Sequence, residues 1–202
     1  GGAIGELRVI RSTFSYSLYD ADNIRLRTDV EGGALMDVGC YCVSGARLLG
    51  GEPESVVGAA HIGPSGTDWV FTGLMRFPAN VVALFDCGTS LPNRDELEAI
   101  GTEGSLFVPD PNFFGGKVEI SGRGPEIAEL KQPAHPFGIP NQEHPQGKVA
   151  NYRTAGLADM AIAIAEGRPH RCSLELALHA VEVMTACLKS GETGQFVTMT
   201  TT

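Results

Sequence analysis

Nearly every residue in the stretch GGALMDVGCYCVSGARLLGG, residues 32–51, is apolar or small, yet it carries the carboxylate of Asp37 and, four residues on, the phenol of Tyr41. On a helix that spacing stacks two side chains on one face, about one turn apart, and Ser44 extends the face. Leu35, Met36, Val38, Cys40, Cys42, Val43 and Ala46 occupy the rest of the circumference, so the helix is expected to be enclosed on most sides. An ionised carboxylate there is costly unless it is paired, hydrogen-bonded or in a wet cleft. Two readings meet that demand. In one, Asp37 accepts from the backbone or from Arg25 or Arg27 just upstream, and Tyr41 is a core aromatic with its hydroxyl satisfied. In the other, both stand at the mouth of a pocket near the helix N-terminus, where the phenol exchanges a proton with a substrate oxygen and the carboxylate orients it. A free tyrosine titrates at about 10, so a role as base at neutral pH needs a neighbouring cation. The sequence does not identify that cation.

Other candidate chemistry is weaker. Cys87, in DCGTS, lacks a histidine nearby in sequence, since His61 falls on a different strand; it reads as an inert core thiol. Cys40 and Cys42 point to opposite sides of a helix, and the five histidines show no ligand spacing, so no metal is expected. His135 and His144 read as solvated loop residues. The five cysteines, odd in number and without a CxxC, suggest neither a disulfide framework nor a zinc ribbon, and point to a reducing cytoplasm. A net charge of −9 without a basic run gives no footprint for nucleic acid or acidic membranes. No apolar run reaches the roughly 20 residues of a membrane span, because Asp37, Gly39 and Arg47 interrupt the longest. The start, GGAIGELRVI, has no leader pattern and no initiator Met, which suggests a chain cut from something longer.

The elements that would position the helix follow from periodicity. In ELRVIRSTFSYSLY, residues 6–19, Ile10, Phe14, Tyr16 and Leu18 alternate with polar residues, which marks a half-buried strand. A polar, turn-rich connection leads to the helix, which the pair Gly50–Gly51 ends. Strands and hairpins follow to about residue 120: SVVGAAHI, WVFTGLMRF, VVALFDCGT, ELEAIG, SLFV and KVEI. PAN, residues 78–80, should turn strand 69–77 into an antiparallel strand 81–88, and GTEG, 101–104, should close a second hairpin. Trp69, Phe71, Met75 and Phe77 form one apolar face; Val70 and Leu74 make the other partly apolar, so cover on both sides is expected. Residues 109–148 hold seven of the twelve prolines and read as an irregular excursion. The end of the chain is helical. One helix has Asn151 as N-cap, Ala158, Ala161, Ile162 and Ala165 as core face, and Gly167 as stop. A second is capped by Ser173, has Leu174, Leu178, Val181, Met184 and Leu188 as its stripe, and ends at Gly191. The whole, residues 1–202, is expected to be one α+β domain: an open, predominantly antiparallel sheet with helices packed on one face.

With these elements in place, GGALMDVGCYCVSGARLLGGEPESV resembles the signature helix of the Gfo/Idh/MocA oxidoreductases, in which a glycine pair opens a helix carrying Asp-x-Gly-x-(Tyr or His). IGELRVIRSTFSY, NIRLR, AIGTEGSLFV and the closing helices fall in the family's order. Tyr rather than His at 41 is similar to the glucose-fructose oxidoreductase and dihydrodiol dehydrogenase branches, and makes inositol dehydrogenase a poorer match. The resemblance is to the family's C-terminal half alone. It implies that NAD or NADP is bound by an N-terminal Rossmann half of the full-length protein and not by this segment, which has no G-x-G-x-x-G turn in a βαβ unit; SGRGPEI, 121–127, reads as a loop. It implies that Asp37 hydrogen-bonds the substrate or a lysine of that other half, that the lysine is the cation Tyr41 needs, and that Tyr41 sits beside the reacting hydroxyl. Arg25 is a further candidate for the same pocket, or else part of a salt bridge. A sugar-like substrate, the chain's own Rossmann domain and further copies joined through the sheet are the implied partners, and the segment alone is expected not to turn over. The alternative is a binding or scaffold module of the same fold that dimerises through its sheet without chemistry.

Overall fold

The computed structural model describes residues 2–109, 117–122, 126–129, 142–144, 147–149, 152–170 and 172–200. The alternating segment 6–19 forms strand β1 (Leu7–Ser17), with Ile10 wholly buried and Phe14 and Tyr16 packed against the core. β1 lies inside a sheet made with β2 (Ser55–Ile62), β3 (Asp68–Phe77), β4 (Val81–Gly88), β5 (Ser90–Gly101), β6 (Ser105–Pro109), β7 (Lys117–Ser121), β8 (Glu126–Glu129) and the short β11 (Val197–Thr198). The strand order is β11-β2-β3-β4-β1-β5-β6-β7-β8; β1 and β4 run parallel and the other described pairs antiparallel. A separate ladder joins β9 (Gln142–His144) to β10 (Gly147–Val149). The hairpins at 78–80 and 101–104 form as their turn residues require, the first with Ala79 and Asn80 at positive φ.

The helix of the opening motif is not uniform. A π-helical turn, Leu35–Gly39, precedes the regular helix α1 (Cys40–Gly50). Val38, Cys42, Val43 and Ala46 press onto Phe71, Met75, Ala83, Phe85 and Cys87 of the sheet. Enclosure is one-sided: Leu48 is 84% exposed and Leu49 is exposed as well. Burial of Phe71 and Phe85, stacked at 6.1 Å between centroids, makes this helix face the centre of the core; truncating such an aromatic costs about 3–5 kcal/mol.

Helices α2 (Tyr152–Glu166) and α3 (Leu174–Thr193) follow, and their faces correct the periodicity reading. Among the described side chains of α2, Ala163 is buried and Ile162 half-buried, whereas Ala161 and Ala165 are exposed; Asn151 and the side chain of Ala158 lie outside the described residues. Ser173 caps α3 as its type predicts, its side chain accepting from the Leu176 N–H. Leu174, Leu178 and Val181 are exposed, because only the second half of the helix, from Val183 on, lies against the sheet. The helix also runs past Gly191, which sits in its last turns near the Phe71 ring, and ends at Gly194 in the left-handed conformation. Ser190 fixes that end, donating to the Gln195 carbonyl at 2.6 Å and accepting from the Gly58 N–H at 3.0 Å.

Two further expectations change. The proline-rich region does not simply leave the sheet, since Glu126–Glu129, part of SGRGPEI and its sequel, pairs with β7 and extends the edge; residues 123–125 and His135 lie outside the described residues. Among the described residues nothing closes the hollow on the second sheet face. Arg11, Asp86, Glu96 and Glu98 are interspersed there with Leu74 and half-exposed Leu84 around a hollow of about 710 Å³.

Candidate active site

The glycine pair has a close-packing reason. A Cβ on Gly32 would fall 2.7 Å from the carbonyl oxygens of Arg25 and Arg27, and one on Gly33, at φ +137°, would fall 1.9 Å from a carboxylate oxygen of Asp68. Asp68 is buried and accepts from the Leu35 N–H at 2.7 Å. A carboxylate from β3 thus satisfies the start of the helical segment from outside it. Burial holds the Asp68 carboxyl above its ordinary range, an effect the backbone donors oppose.

One turn on, Asp37 receives two short hydrogen bonds. The Tyr16 hydroxyl donates to Oδ2 at 2.6 Å and the Arg25 Nε to Oδ1 at 2.6 Å. The Asp37 side chain remains 19% exposed and, with Arg25, Ile24, Val30, Gly33 and Met36, lines a hollow of about 240 Å³. Burial first, then the bond to Asp37, pushes the Tyr16 phenol far above the ordinary tyrosine range, so it stays a donor. Arg27 pairs with Asp29 instead. Both sequence readings of Asp37 therefore describe part of the arrangement: it is paired with an arginine, and it faces a hollow.

Tyr41 is 43% exposed, and its ring meets Phe14 edge-on at 5.3 Å between centroids. It does not line the 240 Å³ hollow. The π turn, with more residues per turn than an α-helix, rotates Asp37 relative to Tyr41, so the two are not simply stacked. The bond to Asp37 raises the Arg25 guanidinium further above its ordinary range, so Arg25 is a fixed cation at the site, with Asp37 balancing its charge.

Tyr16 and Asp68 are the residues sequence reasoning missed. A tyrosine on the core-facing side of a strand needs a partner for its hydroxyl, which was a usable signal for Tyr16; nothing local to Asp68 announced a contact 33 residues away. Cys87 is wholly buried with its thiol pushed well above the usual range by burial, and register places His61 on the other face of the sheet. Among the described residues no group of three or more His, Cys, Asp or Glu is placed to hold a metal, and no helix is long and apolar enough to cross a membrane. At the start of the helical segment Gly32 is packed against backbone, Gly33 against the Asp68 carboxylate, and the Leu35 N–H is occupied by Asp68, so this N-terminus is not open to a pyrophosphate.

An open sheet with this helix on its covered face agrees with comparison to known proteins. The chain belongs to the family described as GFO/IDH/MocA C-terminal domain, whose model matches residues 1–107. Among its relatives, the D-xylose 1-dehydrogenase (NADP(+)) 2 of Haloferax volcanii is 27% identical over 96% of this chain and 57% of its own length. The trans-1,2-dihydrobenzene-1,2-diol dehydrogenase of Bos taurus is 26% identical over 69% of this chain and 42% of its own. The aldose-aldose oxidoreductase of Caulobacter crescentus, solved with glycerol, superposes with a TM-score of 0.81 at 22% identity, over 98% of this chain and 57% of that one. The chain thus spans about half the length of the relatives it matches, from 42% to 57% of these three.

Proposed function

We propose that this chain is the substrate-binding and oligomerisation half of an NAD(P)-dependent oxidoreductase acting on a sugar or a related alcohol, with the cofactor held by a Rossmann half outside this sequence. The observation that carries the reading is the Asp37 carboxylate, clamped by Tyr16 and Arg25 at the rim of a hollow on the family's signature helix. Oxidising an alcohol removes a hydride from carbon, which a nicotinamide accepts, and a proton from the hydroxyl. The residues of this chain serve the hydroxyl. Asp37 and Arg25 orient it, an acceptor beside a donor, and Tyr41, exposed four residues further along the helical segment and outside the lining of the hollow, relays its proton from the open side towards a lysine of the other half. Ile24, Val30 and Met36 give the hollow an apolar wall suited to the carbon skeleton of a neutral polyol or diol. The open sheet face, with Leu84 exposed at its centre, is the surface through which copies associate. Unpaired cysteines at all five positions suit a reducing cytoplasm.

The test is turnover by the natural full-length protein. With a panel of aldoses and trans-diols and either nicotinamide, at least one pair should yield reduced cofactor, and the 202-residue segment should yield none. Failure of the whole panel, or turnover by the segment alone, overturns the reading.

A further inference from the structure

Asp37 is gripped from two parts of the chain that differ in rigidity. Arg25 reaches it from a short turn, with a side chain that is 43% exposed. Tyr16 reaches it from β1, with its ring packed against the core and its backbone held in the sheet. Both contacts are 2.6 Å, the short distance that marks charge-assisted hydrogen bonds. One donor alone leaves a carboxylate free to swing about its own Cβ–Cγ bond; two donors on different oxygens fix its plane.

We propose that Tyr16 is a positioning residue of this site: from the sheet, its hydroxyl fixes the Oδ2 edge of Asp37 while Arg25 fixes Oδ1, so that Asp37 orients the substrate hydroxyl and leaves proton transfer to Tyr41. The inference rests on the functional reading above. Because burial and Asp37 keep the Tyr16 phenol protonated, it donates throughout the working pH range and does not itself exchange the proton.

Tyr16→Phe keeps the packed ring and removes the donor. In the full-length oxidoreductase, kcat should fall about tenfold to a hundredfold, in the range a misplaced catalytic group costs, while KM for the nicotinamide stays within about twofold. In the double variant with Asp37→Asn the loss should be no greater than for Asp37→Asn alone, a non-additivity that a merely structural role would not produce. A fast pH jump on the 202-residue chain gives an independent readout: Asp37→Asn should bring a late-ionising phenol back towards the ordinary tyrosine range. A kcat for Tyr16→Phe within twofold of an active wild type, full additivity, or an unchanged tyrosine titration in Asp37→Asn overturns the proposal alone. A wild type inactive with every substrate and cofactor overturns the functional reading, and this inference with it.

Discussion

Replacing Asp68 by alanine should loosen the start of the helical segment that carries Asp37. The buried carboxylate satisfies the Leu35 N–H, and its removal leaves that donor without its acceptor. Each unsatisfied buried donor costs about 1–3 kcal/mol, and losing a negative charge at a helix start costs about 0.3–1 kcal/mol more. Against this, the variant no longer buries a carboxylate, the penalty that holds the Asp68 carboxyl above its usual range. The net loss should be about 1–3 kcal/mol. For a chain of this size that lowers the melting temperature on the order of 2–12 °C. Asp68→Asn retains an acceptor and should cost about 1 kcal/mol. Urea unfolding read by circular dichroism measures both. Gly33→Ala provides the internal control: its Cβ collides with the same carboxylate, so it should cost less in an Asp68→Ala background than alone, leaving only the backbone strain at positive φ. An Asp68→Ala chain within about 0.5 kcal/mol of wild type at unchanged m, or strictly additive Gly33→Ala and Asp68→Ala losses, would refute the reasoning.

Acid stability should depend on Glu52. Arg47, itself buried, donates to both carboxylate oxygens of Glu52 and holds its carboxyl below the ordinary value of 4.5. Because the unfolded chain binds the proton more readily, this contribution is complete above pH 4.5 and is lost as pH falls through the lower folded value; Glu52→Gln should flatten that limb of the stability profile, and an unchanged limb would show that the pair is energetically silent. Leu84→Glu places a charge at the centre of the open sheet face and should shift the sedimenting species towards the monomer at micromolar concentration. An unchanged mass at the same concentration would remove that face as the association surface.

What the sequence disclosed, it disclosed through short-range regularities. Alternation in residues 6–19, the turn residues at 78–80 and the serine at 173 act within a few positions, and each formed the element its chemistry required. The helix stripes were less legible because period alone does not say where a helix leaves the sheet: α3 buries Met184 and Cys187 but exposes Leu178 and Val181. At the site, Asp37 and Arg25 were marked by type and proximity, twelve residues apart, whereas Tyr16 and Asp68 act across 21 and 33 residues through tertiary packing. The π turn that separates Asp37 from Tyr41 had no signature in the apolar pattern, because a run apolar on nearly every position fits either helix period.

The central claim is that the exposed phenol of Tyr41 takes part in moving the hydroxyl proton, and steady-state kinetics of Tyr41→Phe in the full-length protein test it most directly. The account predicts a kcat lower by about 10²–10⁴, the usual worth of a general acid or base, with an unaltered KM for the nicotinamide. A kcat within a factor of about two of wild type at every pH would contradict it.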